Sequence, residues 1–178
     1  SSLSPAEQRQ AFTSGEVPVA VYGLGKMGLP LAAVYADVSQ NVVGVDVDPD
    51  VVSGLNAGDC HVRGEPGLDD LVVETSATGA FRATTDAVTA AEEATLHVVI
   101  VPTLIDEDGS PDLSALVDVV GSVGSGLDPG DVVVIESTVP PRTCTDLVDP
   151  LLEWESGLDP DHYGLAFCPE RTKSGQAI

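Results

Sequence analysis

VAVYGLGKMGLPLAAVYADV, residues 19–38, opens as an apolar run and then places three glycines, Gly23, Gly25 and Gly28, within six residues. Glycine ahead of a helix is costly unless the chain must turn sharply or something must come close to the backbone. The flanks decide which. VPVAVY (17–22) reads as a buried strand, LPLAAVYADV as a helix, and a second strand, NVVGVD (41–46), ends in an acid, Asp46, 18 residues past Gly28. A strand, G-x-G-x-x-G, a helix and a second strand with a terminal acid form the dinucleotide-binding arrangement. Gly23 permits the tight turn, Gly25 lets a pyrophosphate approach the backbone, and Gly28 lets helix and strand pack closely. The helix N-terminus then faces the phosphates with unsatisfied N–H groups. The whole turn, Gly23, Leu24, Gly25, Lys26, Met27 and Gly28, is the expected phosphate side of the site. Asp46 is expected to accept hydrogen bonds from the adenosine ribose. A 2′-phosphate there would face Asp46, Asp48 and Asp50 with no arginine nearby, so the expected cofactor is NAD rather than NADP. Asp48 has a second reading, as the cap of a helix that starts at Pro49.

Outward from this stretch, short Val/Ile runs alternate with helical patterns. Strands are expected at 17–22, 41–46, 80–84, 96–101, 131–136 and 163–167, and helices at 26–38, 49–57, 86–94, 112–124 and 140–153. Continuous apolar strands separated by helices predict an α/β fold. It is a doubly wound, mostly parallel six-stranded Rossmann-type sheet with helices on both faces, in the order 3-2-1-4-5-6. Residues 1–15 read as a polar lead-in with a short helix at Pro5–Phe12, residues 16–178 as the NAD-binding domain, and 103–112 as a long loop. Val101-Pro102-Thr103 and Glu136-Ser137-Thr138 fall where strands end, the edge at which open α/β sheets bind ligands. Their hydroxyls can hold a nicotinamide ribose or a catalytic water. Thr138 can also cap a helix beginning at Pro140.

Composition bounds the setting. The 178 residues carry 29 acidic side chains against 7 lysines and arginines, a net charge of −22, yet 43% are hydrophobic. Only two lysines occur, Lys26 and Lys173, and the acids are spread along the chain. Such a surface argues against nucleic acid and against anionic membranes, and it fits a salt-rich cytoplasm, that of a halophile, where self-repulsion is screened, with a merely acidic mesophilic domain as the plainer alternative. No apolar run reaches membrane-spanning length and the N-terminus lacks the apolar core of a signal peptide; a cytoplasmic location is expected. Cys60, Cys144 and Cys168 form no C-x-x-C pair and the three histidines are scattered, so free thiols and no metal site are expected.

Six stretches, in order, resemble the UDP-glucose/GDP-mannose dehydrogenase family: VYGLGKMGLPLA, VVGVDVDP, EPGLDDL (65–71), VVIVPT (98–103), VVVIESTVPPRT (132–143) and FCPERTKSG (167–175). The likeness covers residues 17–178. It implies an NAD-dependent enzyme that oxidises the C6 alcohol of a UDP-sugar to a carboxylate with two NAD, homo-oligomeric when full length, with a place in polysaccharide biosynthesis. It implies that Thr103 and Thr138 contact NAD, that Thr138 helps position water, and that Glu170 is the acid/base carboxylate assisting hydrolysis of a thioester. A surface Glu170–Arg171 pair is the plainer alternative. Members acting on UDP-N-acetylhexosamines tend to read C-P-E-R-x-x-x-G, as here. UDP-N-acetylmannosamine or UDP-N-acetylglucosamine is therefore the favoured substrate and UDP-glucose the runner-up.

The chain also departs from the pattern. Val51 stands where a basic residue is usual, Leu104 where a proline is usual, and Arg142 replaces a common glycine and offers either a phosphate contact or a solvated side chain. The family's nucleophilic cysteine and its lysine belong to later motifs, so the expectation is a cofactor domain cut from a longer enzyme. An NAD-sensing regulatory module and a β-hydroxyacid type dehydrogenase share the fingerprint; E-S-T-V-P-P and C-P-E-R favour the nucleotide-sugar reading.

Overall fold

Branched apolar side chains fit a pleated surface buried on both sides, and the Val-rich runs pair accordingly in the computed structural model, which describes residues 4–105 and 108–169. The strands are β1 (Val19–Tyr22), β2 (Val42–Val45), β3 (Phe81–Thr84), β4 (Leu96–Val99), β5 (Leu104–Ile105), β6 (Pro111–Asp112), β7 (Val132–Ile135) and β8 (Gly164–Phe167). Six of them form one sheet in the order β3-β2-β1-β4-β7-β8, every pair parallel. This is the expected doubly wound order. It places the carboxyl ends of β1 and β4 side by side, at the point where the winding reverses.

The helices are α1 (Pro5–Thr13), α2 (Gly28–Ser39), α3 (Pro49–Asn56), α4 (Leu68–Thr78), α5 (Ala87–Glu93), α6 (Ser114–Gly126) and α7 (Asp149–Ser156). Strand side chains alternate between two cores. Val19 and Val21 join Leu29 and Ala33 of α2 and Leu68 and Val72 of α4 on one face. Ala20 and Tyr22 join Val120 of α6 and Leu152 of α7 on the other. Caps fix the starts of several helices. Asp48 accepts from the Asp50 N–H with Pro49 at the first helical position, as its second reading anticipates, and Asp86 accepts from the Thr89 N–H and hydroxyl. α1 starts in a reciprocal Ser4–Glu7 capping box, and its Phe12 meets Tyr35 of α2 edge-on at 6.0 Å, which ties this segment to the first core.

Three expectations need correction. The sequence reading gives no element to Leu68–Thr78, which forms α4; its Val and Thr content masks a helical stripe of Leu68, Val72 and Thr75, all buried. The expected loop 103–112 contains a short antiparallel hairpin, β5–β6. The helix expected from 140 begins at Cys144, with a π-helical turn (Cys144–Val148) leading into α7. The delay has a local cause: Arg142 sits at φ +73°, which breaks a right-handed helix. Thr138 is therefore not a helix cap.

Candidate cofactor-binding site

The carboxyl ends of β1, β2, β4 and β7 open into a cleft of about 1050 Å³. The glycine turn forms its floor. Gly23 has φ +97°, and a Cβ there would sit 2.5 Å from the Ile100 carbonyl oxygen, just past β4. A Cβ on Gly28 would lie 1.8 Å from the Gly23 carbonyl oxygen and 2.9 Å from the Ile100 side chain. Both positions are closed to any other residue. Gly25 is the opposite case: it is exposed to the cleft, and a Cβ added there would have nothing within 4 Å. The turn is therefore welded at its two ends and open in the middle, where helix α2 presents its N-terminus. That is a cradle for an anionic group approaching backbone N–H donors.

Asp46 locks this turn to β2. Its Oδ2 accepts from the Leu24 N–H and its Oδ1 from the Asp48 N–H, both at 3.0 Å. An ionised carboxylate offers about four lone-pair sites, so two remain for hydroxyls in the cleft that Asp46 lines. The Leu24 side chain points away, fully buried in the first core.

At the other end of the cleft, Ser137 bridges two strand ends. Its hydroxyl donates to the Val101 carbonyl and accepts from the Val101 N–H, each at 2.9 Å, and it is 3% exposed. Thr103 and Thr138 also line the cleft, and neither makes a hydrogen bond among the described residues, so both hydroxyls are available to a ligand. Tyr22 lies beneath. Its hydroxyl meets His97 Nδ1 at 3.2 Å, and His97 Nε2, fully buried, faces Asp131 Oδ2 at 3.5 Å. Burial first, and the Asp131 charge second, push the Tyr22 hydroxyl well above the usual phenol range, so it stays protonated.

The cleft gathers Gly23, Gly25, Lys26, Met27, Gly28 and Asp46 with Val101, Pro102, Thr103, Ser137 and Thr138. Of the residues singled out from sequence, Leu24 contributes its backbone rather than its side chain, and Glu170 lies outside the described residues. Arg142 is not in the cleft: its guanidinium pairs with Asp146 at 2.9 and 3.0 Å. Sequence reasoning missed a wall of the cleft built by Ala115, Asp118, Val119 and Ser122 of α6. Their spacing of three and four residues puts them on one helix face, a signal present in the sequence but indistinguishable there from a core-facing stripe. Glu136, which the sequence places at a strand end without a role, is a buried carboxylate lining the cleft at the end of β7.

Residues 17–178 match the NAD binding domain of the UDP-glucose/GDP-mannose dehydrogenase family. The chain belongs to this family. Among relatives, it is 32% identical to the UDP-N-acetyl-D-mannosamine dehydrogenase of Salmonella typhi, over 90% of this chain and 39% of that protein. It is 38% identical to the UDP-glucose 6-dehydrogenase AglM of Haloferax volcanii, over 90% of this chain and 37% of that protein. The crystal structure of a ternary complex of GDP-mannose dehydrogenase from Pseudomonas aeruginosa superposes with a TM-score of 0.85 at 29% identity, covering 90% of this chain and 37% of that one. The chain thus spans about two fifths of the length of these family members. The welded glycine turn and the cleft lie within the stretch that matches the family's NAD-binding domain.

Proposed function

We propose that this chain is the cofactor-holding part of a nucleotide-sugar 6-dehydrogenase, which oxidises the C6 alcohol of a UDP-sugar to the uronate. The observation that carries the reading is the coincidence of an open Gly25, an anchored Asp46 and two unengaged hydroxyls along one cleft. NAD, when bound, supplies the hydride acceptor. The Gly25–Gly28 backbone holds its diphosphate, and Asp46 takes the adenosine ribose hydroxyls with its remaining lone pairs. Asp46, Asp48 and Asp50 repel a 2′-phosphate, which selects NAD over NADP. Thr103 and Thr138 orient the nicotinamide end, and Thr138 holds the water used in hydrolysis. Glu170, following β8 in the chain, serves as the acid/base carboxylate.

For the sugar, the C-P-E-R-T-K-S-G stretch (168–175) and the similarity to the Salmonella typhi protein support a UDP-N-acetylhexosamine, N-acetylmannosamine first. UDP-glucose is the second reading, favoured by the identity with the Haloferax volcanii protein. The −22 charge supports work in a salt-rich cytoplasm, where self-repulsion is screened. The test is NADH formation at 340 nm in molar KCl. The 178-residue chain is expected to bind NAD without turnover, because hydride transfer needs a sugar held against the nicotinamide. The longer protein is expected to turn over UDP-N-acetylmannosamine faster than UDP-glucose. The reverse preference rejects the sugar assignment, and steady turnover by the 178-residue chain rejects the division of labour.

A further inference from the structure

We propose that the Lys26 side chain, in addition to the backbone turn, supplies the counter-charge for the cofactor diphosphate and so lets this strongly acidic chain hold an anionic ligand. The inference rests on the reading of the cleft as the NAD site. Three carboxylates, Asp46, Asp118 and Glu136, line that cleft in a chain of net charge −22, so a diphosphate entering it meets a field of its own sign. Cations are scarce, and most of the described ones are committed elsewhere. Among the described residues, Arg63 pairs with Asp69, Arg82 with Glu93 and Arg142 with Asp146. Arg9 sits on α1, whose Phe12 packs on Tyr35 toward the far end of α2. Lys26 is the one described lysine. It lies inside the glycine turn, exposed, lining the cleft, with no ion pair or hydrogen bond among the described residues.

A lysine is a compact point charge on a flexible stem, able to follow a phosphate without a fixed bidentate geometry. Its position beside open Gly25 lets the ammonium and the backbone N–H groups reach the same anion. In molar salt, screening cuts off charge interactions beyond about 3 Å. The general surface field is then silent, and only a cation in contact with the phosphates still acts. The effect of Lys26 should therefore survive high salt, unlike that of the other described cations, none of which lines the cleft.

Calorimetric titration in molar KCl separates these contributions. Wild type, Lys26→Gln, Lys26→Arg and Arg9→Gln are titrated with NAD and ADP, with adenosine affinity read by competition. Lys26→Gln should weaken NAD and ADP about tenfold, in the range of a lost charge-assisted hydrogen bond, and leave adenosine unchanged. Lys26→Arg should keep most of the affinity, and Arg9→Gln, with the same change in net charge, should bind all three as wild type does. Lys26→Gln binding ADP as tightly as wild type overturns the proposal, as does a loss shared equally by adenosine. A wild-type chain that binds neither NAD nor ADP overturns the cofactor reading first and this proposal with it.

Discussion

Gly25 and Gly28 make opposite demands on one turn, and the difference is measurable. A methyl group at 28 would collide with the Gly23 carbonyl, a backbone atom that cannot swing aside. Gly28→Ala should cost about 1–3 kcal/mol of stability, as overpacking does, or more if the turn cannot shift, and lower the melting temperature. A methyl at 25 meets nothing, so Gly25→Ala should melt with wild type while losing NAD affinity. Equal melting of all three proteins would contradict the welded-turn geometry. Asp46 has a double role: Asp46→Ala should weaken NAD binding by roughly 1–3 kcal/mol and also lower the melting temperature, because the Leu24 and Asp48 N–H groups lose their acceptor. A variant with altered binding but unchanged melting would show that those two bonds add nothing to the fold. At this scale the glycines and Asp46 were legible in the sequence, because they fall at characteristic spacings within one strand–turn–helix–strand unit. The Ser137–Val101 bridge was not, since it joins groups 36 residues apart that only the β4–β7 pairing brings together.

Helix ends carry the pH response. At α5 the Asp86 carboxylate accepts from the Thr89 N–H and hydroxyl, which hold its pKa below the ordinary 3.8. A depressed carboxylate pKa gives stability that is fully present above the unfolded value and is lost as pH falls through the folded one. Wild type should therefore melt above Asp86→Ala near neutrality, with the gap closing as pH drops below 3.8. A gap independent of pH would mean that the cap does not depend on the charge. Deeper in the element, Leu152→Ala removes a fully buried anchor of α7 from the second core and should cost about 2–5 kcal/mol, read from denaturant melts. The strands β1, β2, β4 and β7 were legible because strands of a parallel sheet covered on both faces read as Val-rich runs; the edge strands β3 (FRAT) and β8 (GLAF) carry no such run. α4 was not, because Val72, Val73, Thr75 and Thr78 suit a strand as well as a helix and tertiary packing decides. The late start of α7 was equally hidden, since it turns on the left-handed backbone of one arginine, Arg142.

Over the whole molecule, the two cores and the parallel order would serve any doubly wound domain; what sets this one apart is its charge. With −22 on 178 residues, self-repulsion reaches about 30 Å at an ionic strength near 0.01 M and about 3 Å at 1 M. The melting temperature should climb steeply from dilute buffer to molar KCl, and a flat profile would contradict adaptation to salt. The charge was legible from composition alone, and so was the cofactor face, since topology places the strand ends around the glycine turn. We propose that this cleft takes NAD and is closed to a 2′-phosphate by Asp46 and its neighbours. Calorimetric titration of the chain with NAD and with NADP in molar KCl addresses it directly. One NAD should bind saturably per chain and NADP markedly more weakly, the gap narrowing in Asp46→Ala; equal affinity for the two cofactors, or no binding of NAD, would contradict this.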